Sequence, residues 1–332
     1  MNTRRWRRLL PLVASAALVL VAGCSGIGNA ASPPSVEKPN LTVGVVPAVD
    51  SAGFFIALYQ NLFKEQGLNV SFVPVTSSRT AIANQVKGIY DITGGNYVSY
   101  IQAQQQGQAN LDIFAEGSLM EPGAQAIYTM PGSPIKTLAN LEGKTIGINA
   151  PDNILYLLVA SVLADHGIPV SKVKFKAIPF PGMAAALKSG AVNAAVLPEP
   201  FASSAEETDG AVPLVDLNQG ATTNFPVQGY VVTKQWAQKY PKTLAAFYKA
   251  LEEGQEIADT NRAAVETAME NIKPAVLAVN KQTAAVMAVD NYPVSDGPVG
   301  AVDLVRLQRV LDVMQQFLSF PKFNISAMVM GG

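Results

Sequence analysis

Cysteine, histidine and charge are scarce in this chain of 332 residues. It has one cysteine, Cys24, and one histidine, His166, so a disulfide within the chain is excluded and a zinc site is not expected. Charged residues make up 15% of the sequence, and the net charge is −1. A near-neutral chain without basic clusters has no electrostatic basis for binding nucleic acid. We therefore expect no metal and no nucleic-acid partner.

The first 39 residues have the pattern of an exported lipoprotein. Four arginines precede an apolar stretch at 9–22, which is too short for a membrane span of about 20 residues but suits a signal peptide. The sequence Val21-Ala22-Gly23-Cys24 resembles the bacterial lipobox, whose cysteine is lipidated. We predict a signal peptide at 1–23 and, at 24–39, the lipidated Cys24 with a flexible tether. The protein would be anchored to the outer face of the cytoplasmic membrane.

Strand and helix patterns alternate from Asn40 onward. A short β-branched run at 41–46 predicts a buried strand, and the pattern of 54–66 predicts a helix that ends before Gly67. This β-α-β order predicts an α/β fold with a parallel, doubly wound sheet. Further elements are predicted at 70–75, 78–87, 91–93, 96–106 and 111–115.

The alternation starts again at Lys144, which predicts a second α/β domain. Its elements are predicted at 144–149, 152–166, 173–177, 182–188 and 192–197. Beyond about Gly229, helical spacing predominates, at 240–261, 281–288 and 300–320. Two Rossmann-like domains that face each other form an interdomain cleft, which is a favoured place for a small-molecule site.

Four segments resemble a known family. The stretch 132–148, Gly-Ser-Pro-Ile-Lys-Thr-Leu-Ala-Asn-Leu-Glu-Gly-Lys-Thr-Ile-Gly-Ile, strongly resembles the segment that opens the second domain of type II periplasmic binding proteins. More narrowly, it is similar to the solute-binding family for nitrate, sulfonates, taurine and the thiamine-pyrimidine precursor. The segments 54–68, 185–201 and 240–250 also resemble this family.

The resemblance implies a solute-binding protein that delivers a small solute to an ABC permease and its ATPase. It implies a discontinuous first domain, 40–126 and 230–332, with the second domain, 127–229, inserted between. No cofactor is expected, and we expect a monomer. The alternative is a sensor or an enzyme on the same fold, such as the fungal synthase of the thiamine pyrimidine. That enzyme uses a histidine and a cysteine-rich segment, whereas this chain has no cysteine after Cys24 and its one histidine, His166, is badly placed for such a role.

Two motifs with chemical meaning are incomplete. Gly143-Lys144-Thr145 is similar to the end of a phosphate-binding loop, but Leu138 stands where that motif requires glycine. The first strand is not followed by the glycine pattern of a dinucleotide site. His166 lies at the predicted end of a helix, where a histidine favours a structural role. We therefore expect binding without catalysis.

Candidate ligand-binding residues lie in the loops that follow the predicted strands. Those in the first domain are Asp50, Ser51, Phe54, Ser77, Ser78, Arg79, Asn96 and Tyr97. Those in the second domain are Asn149, Asp152, Asn153 and Glu199. Ser78 and Asp152 are equally compatible with helix capping, and Phe54 is also compatible with the core.

The same loops leave two ligand chemistries open. Three carboxylates and one basic residue favour a ligand with N–H donors, such as an aminopyrimidine or taurine, and Phe54 and Tyr97 would stack on it. Helix N-termini could instead hold nitrate or a sulfonate through backbone N–H groups.

Overall fold

The computed structural model describes residues 35–272 and 302–330. The predicted signal peptide, Cys24, the first part of the tether and the predicted helix at 281–288 lie outside these residues. No helix in the described ranges combines the length and apolar character that a bilayer span requires. The described chain forms two five-stranded sheets.

The first sheet has the strand order β2-β1-β3-β10-β4. Strand β1 pairs in parallel with β2 and β3, as predicted, whereas β10 is antiparallel to β3 and β4. The sheet is therefore mixed. The chain passes through the second sheet between β4 and β10, so no crossover helix links these two strands as parallel neighbours. The bounds are β1 Asn40–Val45, β2 Asn69–Pro74, β3 Ile92–Asn96, β4 Leu111–Leu119 and β10 Pro226–Thr233.

The second sheet repeats this arrangement, with the order β7-β6-β8-β5-β9. Strand β6 is parallel to β7 and β8, and β5 is antiparallel to β8 and β9. Strands β5, β9 and β10 were not predicted from the sequence. The bounds are β5 Gln125–Thr129, β6 Thr145–Ile148, β7 Lys174–Ala177, β8 Ala194–Pro198 and β9 Val212–Asp216.

Eleven α-helices connect or cover the strands within the described residues. They are α1 Ala52–Tyr59, α2 Leu62–Glu65, α3 Ser78–Val86, α4 Tyr97–Gln105, α5 Ile154–Asp165, α6 Phe180–Lys188, α7 Phe201–Asp209, α8 Lys234–Lys239, α9 Pro241–Thr260, α10 Arg262–Glu270 and α11 Leu304–Phe317. Short 3₁₀ turns lie at Val49–Ser51, Leu138–Leu141, Val170–Lys172, Gly220–Thr222 and Ile325–Met328.

One predicted helix is divided in two. The sequence predicts a continuous helix at 54–66, but Asn61 has φ of 67°. Asparagine tolerates this left-handed conformation better than most residues, and such a residue cannot continue a right-handed helix. The helix therefore ends at Tyr59, and α2 begins at Leu62.

The chain crosses between the two sheets twice. It leaves the first sheet after Leu119 and enters the second at Gln125, then leaves the second after Asp216 and returns at Pro226. We propose these crossings as the domain boundaries. They lie a few residues before the positions suggested by the sequence, 126/127 and 229/230.

Helix α11 packs against both halves. It contacts α4, which follows the first sheet's β3, and α5, which follows the second sheet's β6. Arg306 forms an ion pair with the buried Glu116 of β4, and Arg309 donates to the carbonyl oxygens of Ala221 and Thr223 beside the return crossing. Helix α11 therefore joins the two halves.

The end of the predicted tether is bound to the folded body. The Glu37 carboxylate accepts hydrogen bonds from the backbone N–H groups of Lys242 and Thr243, at the start of α9. Lys38 forms an ion pair with Asp91. The tether prediction is therefore wrong for these residues, because Glu37 satisfies N–H groups that a helix cannot bond internally.

Candidate functional site

A small cavity lies at the carboxyl ends of the parallel strands, between the two sheets. Its volume is about 40 Å³, while one water molecule occupies about 30 Å³ in the liquid. In this arrangement the cavity therefore holds little more than water-sized molecules. The lining residues are Val46, Ala48, Asp50, Ser78, Gly95, Asn96, Gln125, Asn149, Ile154, Leu155, Phe180, Pro198, Val227 and Gln228.

A larger groove of about 770 Å³ lies around Asp91, Trp236 and Tyr240. Asp91 immediately precedes β3, so the groove is at the opposite edge of the first sheet. Ligands of open α/β sheets bind outside the carboxyl ends of the strands. The position of the smaller cavity is therefore the one that fits a ligand site, although its volume is less.

Ser78 and Asn96 bring the starts of two helices together at the cavity. The backbone N–H and the side-chain amide of Asn96 both donate to Ser78 Oγ, over 2.9 Å each. Asn96 Oδ1 accepts from the N–H of Ser99 and so caps α4. A Cβ at Gly95 would lie 2.4 Å from Ser78 Oγ, so glycine permits this approach. The Ser78 hydroxyl retains its proton for a further acceptor.

Asp50 places a carboxylate at the cavity. It lies in the 3₁₀ turn that precedes α1 and is only partly exposed. Burial raises the pKa of the Asp50 carboxyl from 3.8 to about 6, because the surroundings disfavour the charged form. Asp50 is the one ionisable side chain among the described residues that line the cavity.

Asn149 and Asn153 form the facing wall. Asn153 Oδ1 accepts from the N–H of Tyr156 and caps α5, while its amide donates to Asn149 Oδ1. This pairing leaves the Asn149 amide N–H groups for another acceptor. Asn149 lines the cavity, whereas Asn153 supports it from behind.

Three contacts join the halves around the cavity. Gln102 Nε2 donates to the carbonyl oxygen of Asp152 over 2.7 Å, and Arg79 donates to the carbonyl oxygen of Pro151 over 3.4 Å. The N–H of Val49 donates to the carbonyl oxygen of Glu199 over 3.4 Å. Arg79 and Asp152 are exposed at the rim, so these two predicted site residues contribute closing contacts and do not line the cavity.

The remaining predicted residues have structural positions. Phe54 and Tyr97 are fully buried; Phe54 packs edge-on against Phe55. The expectation that they stack on a ligand is wrong, because neither ring reaches the cavity. The others hold nearby turns: Ser51 accepts from Gln228 Nε2, Ser77 caps α3, and Glu199 accepts from the hydroxyl and N–H of Ser203.

Ten of the lining residues were not among the predicted site residues, and those of the ten with polar or aromatic side chains are Gln125, Phe180 and Gln228. Gln125 and Gln228 lie in strands β5 and β10, which were not predicted. The sequence feature that could have identified these two residues is a glutamine within an apolar run, since a polar side chain in a buried strand requires a hydrogen-bond partner. Gln228 has one in Ser51. The Gln125 amide oxygen is buried and has no hydrogen-bond partner among the described residues.

The described residues contain no group of three or more histidine, cysteine, aspartate or glutamate side chains suited to a metal ion. His166 lies at the end of α5, and its Nδ1 is 2.9 Å from the carbonyl oxygen of Val162. The cavity thus combines one carboxylate, neutral amides and a hydroxyl with apolar side chains and the ring of Phe180. A few polar groups on an apolar lining are typical of small-molecule sites.

Comparison with known proteins establishes the family. The family model described as the NMT1-like family matches residues 35–273. The chain belongs to the NMT1-like family. The bicarbonate transport ATP-binding protein CmpC of Synechocystis is 30% identical to it over 237 residues, which cover 65% of this chain and 34% of CmpC. The chain thus spans about a third of the length of the curated relatives it matches.

Solved structures share the fold of this NMT1-like protein. The alkanesulfonate-binding protein SsuA of Xanthomonas axonopodis, bound to MOPS, has a TM-score of 0.75 and 18% identity, covering 90% of this chain and 99% of SsuA. The periplasmic nitrate-binding protein NrtA of Synechocystis has a TM-score of 0.73 and 16% identity, covering 89% of this chain and 85% of NrtA. The predicted periplasmic-binding-protein fold is therefore confirmed.

Proposed function

We propose that this NMT1-like protein is the extracytoplasmic solute-binding component of an ABC importer. The observation that carries the proposal is the cavity at the carboxyl ends of both sets of parallel strands, with polar and apolar lining residues from each half. The family and the shared fold support it. The solute would reach the transmembrane permease from this cavity, and the ATPase subunit would drive its import.

Capture would proceed by closure of the two halves. Two crossings between the sheets permit a hinge motion, and the rim contacts of Gln102 and Arg79 are single hydrogen bonds that can break and form again. The small volume of the cavity corresponds to the closed arrangement. Small-angle scattering should give a smaller radius of gyration at saturating solute than without solute, and an unchanged radius would argue against closure.

The location proposed for the protein is the outer face of the cytoplasmic membrane. Its anchor would be the lipid on Cys24, after removal of residues 1–23. The bond between Glu37 and the start of α9 would end the tether close to β1. We propose a monomer, since one chain supplies both walls of the cavity.

The candidate solutes are small and polar. SsuA and NrtA are named for alkanesulfonate and nitrate, and CmpC for bicarbonate; taurine and aminopyrimidines extend the range. A thermal-shift screen of these compounds tests the proposal, because a ligand that binds only the native state raises its stability by about 2.7 kcal/mol at a hundredfold excess over Kd. Solute-independent melting for every class would oppose a solute-binding function.

We propose binding without chemical conversion. A sensor or an enzyme on this fold is the alternative, and an enzyme would need a nucleophile or a proton-transfer group at the solute. Asp50 is the ionisable group available among the described lining residues. Mass spectrometry of the solute after prolonged incubation should recover it unchanged. A product that forms with wild type and not with Asp50→Asn would establish an enzyme instead.

A further inference from the structure

The charge of the cavity distinguishes between classes of solute. Asp50 is the ionisable side chain among the described lining residues, and no basic side chain lines the cavity with it. Arg79, the basic residue of the predicted site, is exposed at the rim, where its guanidinium donates to the Pro151 carbonyl oxygen. An ionised Asp50 would therefore repel a bound anion, with no cation at the cavity to offset the repulsion.

The Gln125 amide is a second, independent observation. Gln125 is 3% exposed and lines the cavity at the start of β5. Its amide oxygen has no hydrogen-bond partner within the described part of the chain. A buried acceptor without a partner destabilises a protein, so a bound group that donates a hydrogen bond to this amide would remove that cost.

We propose that the solute is a small organic cation with N–H donors, such as an ammonium, an amidinium or a protonated amino-heterocycle, and that the Asp50 carboxylate is its counter-ion. This inference rests on the proposed function, namely that the cavity between the sheets is the solute site. The Gln125 amide accepts a further N–H bond, and Phe180 provides an apolar wall. The hydroxyl of Ser78 and the amide of Asn149 bond any acceptor atom that the solute carries.

The protonation of Asp50 makes this binding depend on pH. Burial raises the pKa of the Asp50 carboxyl to about 6, so the carboxylate form that binds a cation predominates at pH 7 and declines toward pH 5. Tyr230 of β10 is a titratable group that interacts with the Asp50 charge. Burial raises the pKa of Tyr230 above its usual value, so it remains neutral throughout this range.

The test compares cations with anions by titration calorimetry on the full chain in mild detergent. The cationic probes are acetamidine, methylammonium and 4-aminopyridine, all protonated at pH 7; the anionic probes are nitrate and methanesulfonate. At pH 7 we expect at least one cation to bind, and Asp50→Asn to weaken it by about 10- to 100-fold, the usual effect of losing a charge-assisted hydrogen bond. Asp259→Asn, which removes an exposed carboxylate of α9, should leave the affinity unchanged.

A second measurement does not depend on the folding of the variant. The affinity of wild type for acetamidine, which stays protonated throughout, should increase as the pH is raised from 5 to 7. Binding of nitrate or methanesulfonate to wild type at pH 7 when no cation binds, or cation binding that is independent of pH and of Asp50, would overturn the inference and leave the solute-binding function in place. Failure of cations and anions alike to bind would instead oppose both.

Discussion

Gln102 Nε2 donates a hydrogen bond to the carbonyl oxygen of Asp152 over 2.7 Å, and this bond joins α4 of one half to the loop before α5 of the other. The Gln102 side chain is 9% exposed, so water competes little for the bond. An intact Gln102 contact therefore stabilises the closed arrangement relative to any open one.

We expect Gln102→Ala to weaken solute binding. A buried hydrogen bond contributes about 1 kcal/mol, so loss of this one should lower affinity about fivefold and enlarge the radius of gyration of the solute-bound protein. Calorimetry and small-angle scattering measure the two effects. Gln105→Ala is the matched control, since Gln105 is exposed on the same helix. Equal affinities for the two variants would contradict a role for the contact in closure.

Asp50 should lower the stability of the protein without solute at neutral pH. Its pKa is raised from 3.8 to about 6 on folding, so the native state binds the proton more tightly than the unfolded chain does. The free energy of unfolding should therefore decrease as the pH rises from about 4 to about 6. Asp50→Asn should remove this decrease and raise stability at pH 7 by up to about 3 kcal/mol.

Urea denaturation at pH 4.5 and pH 7 measures this difference. Asp259→Asn, in the exposed part of α9, controls for the loss of one negative charge. A lower stability of Asp50→Asn at pH 7 would show that the carboxylate contributes to the fold, and would contradict its assignment as a group that awaits a solute.

The hydrogen bonds that Glu37 accepts should make the free energy of unfolding decrease as the pH falls, which is the opposite of the effect expected from Asp50. Burial alone would raise the pKa of the Glu37 carboxyl, but the bonds it accepts from backbone N–H groups, including those of Thr243 and Lys242, lower it from 4.5 to about 2. Its contribution is therefore present above about pH 4.5 and is lost as the pH falls toward 2. Glu37→Ala should lower the melting temperature at pH 7 and have less effect at pH 2.5.

Glu253→Ala provides the control for this prediction, because Glu253 is an exposed glutamate on α9, the helix whose first N–H groups donate to Glu37. Scanning calorimetry of both variants measures the effect. If the two lower the melting temperature equally at pH 7, the bonds from Glu37 do not hold the end of the tether to the folded body.

Membrane attachment is expected to depend on Cys24. The lipobox pattern at 21–24 predicts lipidation there, so Cys24→Ala should release the protein into the soluble exported fraction or leave it as an uncleaved precursor. Cell fractionation followed by mass spectrometry of the N-terminal peptide distinguishes these results. A variant that is still processed and bound to the membrane would contradict the lipid anchor.

The fold could be predicted from the sequence further than the site could. Runs such as 41–46 and the helix patterns that follow identified the parallel strands and the repeated α/β arrangement. Strand β10 was missed because its antiparallel pairing comes from a distant return of the chain, which local patterns do not contain. Asn61 was missed because its left-handed conformation depends on the packing of α1 and α2.

Residues of the candidate site could be predicted from the sequence only where they follow the parallel strands. Asp50, Ser78, Asn96 and Asn149 follow such strands, and the structure places all four at the cavity. Gln125 and Gln228 come from antiparallel strands and were not found. Phe54 and Tyr97 were placed wrongly because a residue just inside a helix can face either the cleft or the core, and the sequence spacing does not decide which.

The most direct test of the proposed solute site is a thermal-shift comparison of wild type with Asn149→Trp, which places a bulky side chain in the wall of the cavity. The solutes are nitrate, methanesulfonate, taurine, acetamidine and 4-aminopyrimidine. We expect at least one to raise the melting temperature of wild type in a saturable manner, and none to do so in Asn149→Trp. Equal shifts in the two proteins, or no shift in either, would contradict a solute site between the sheets.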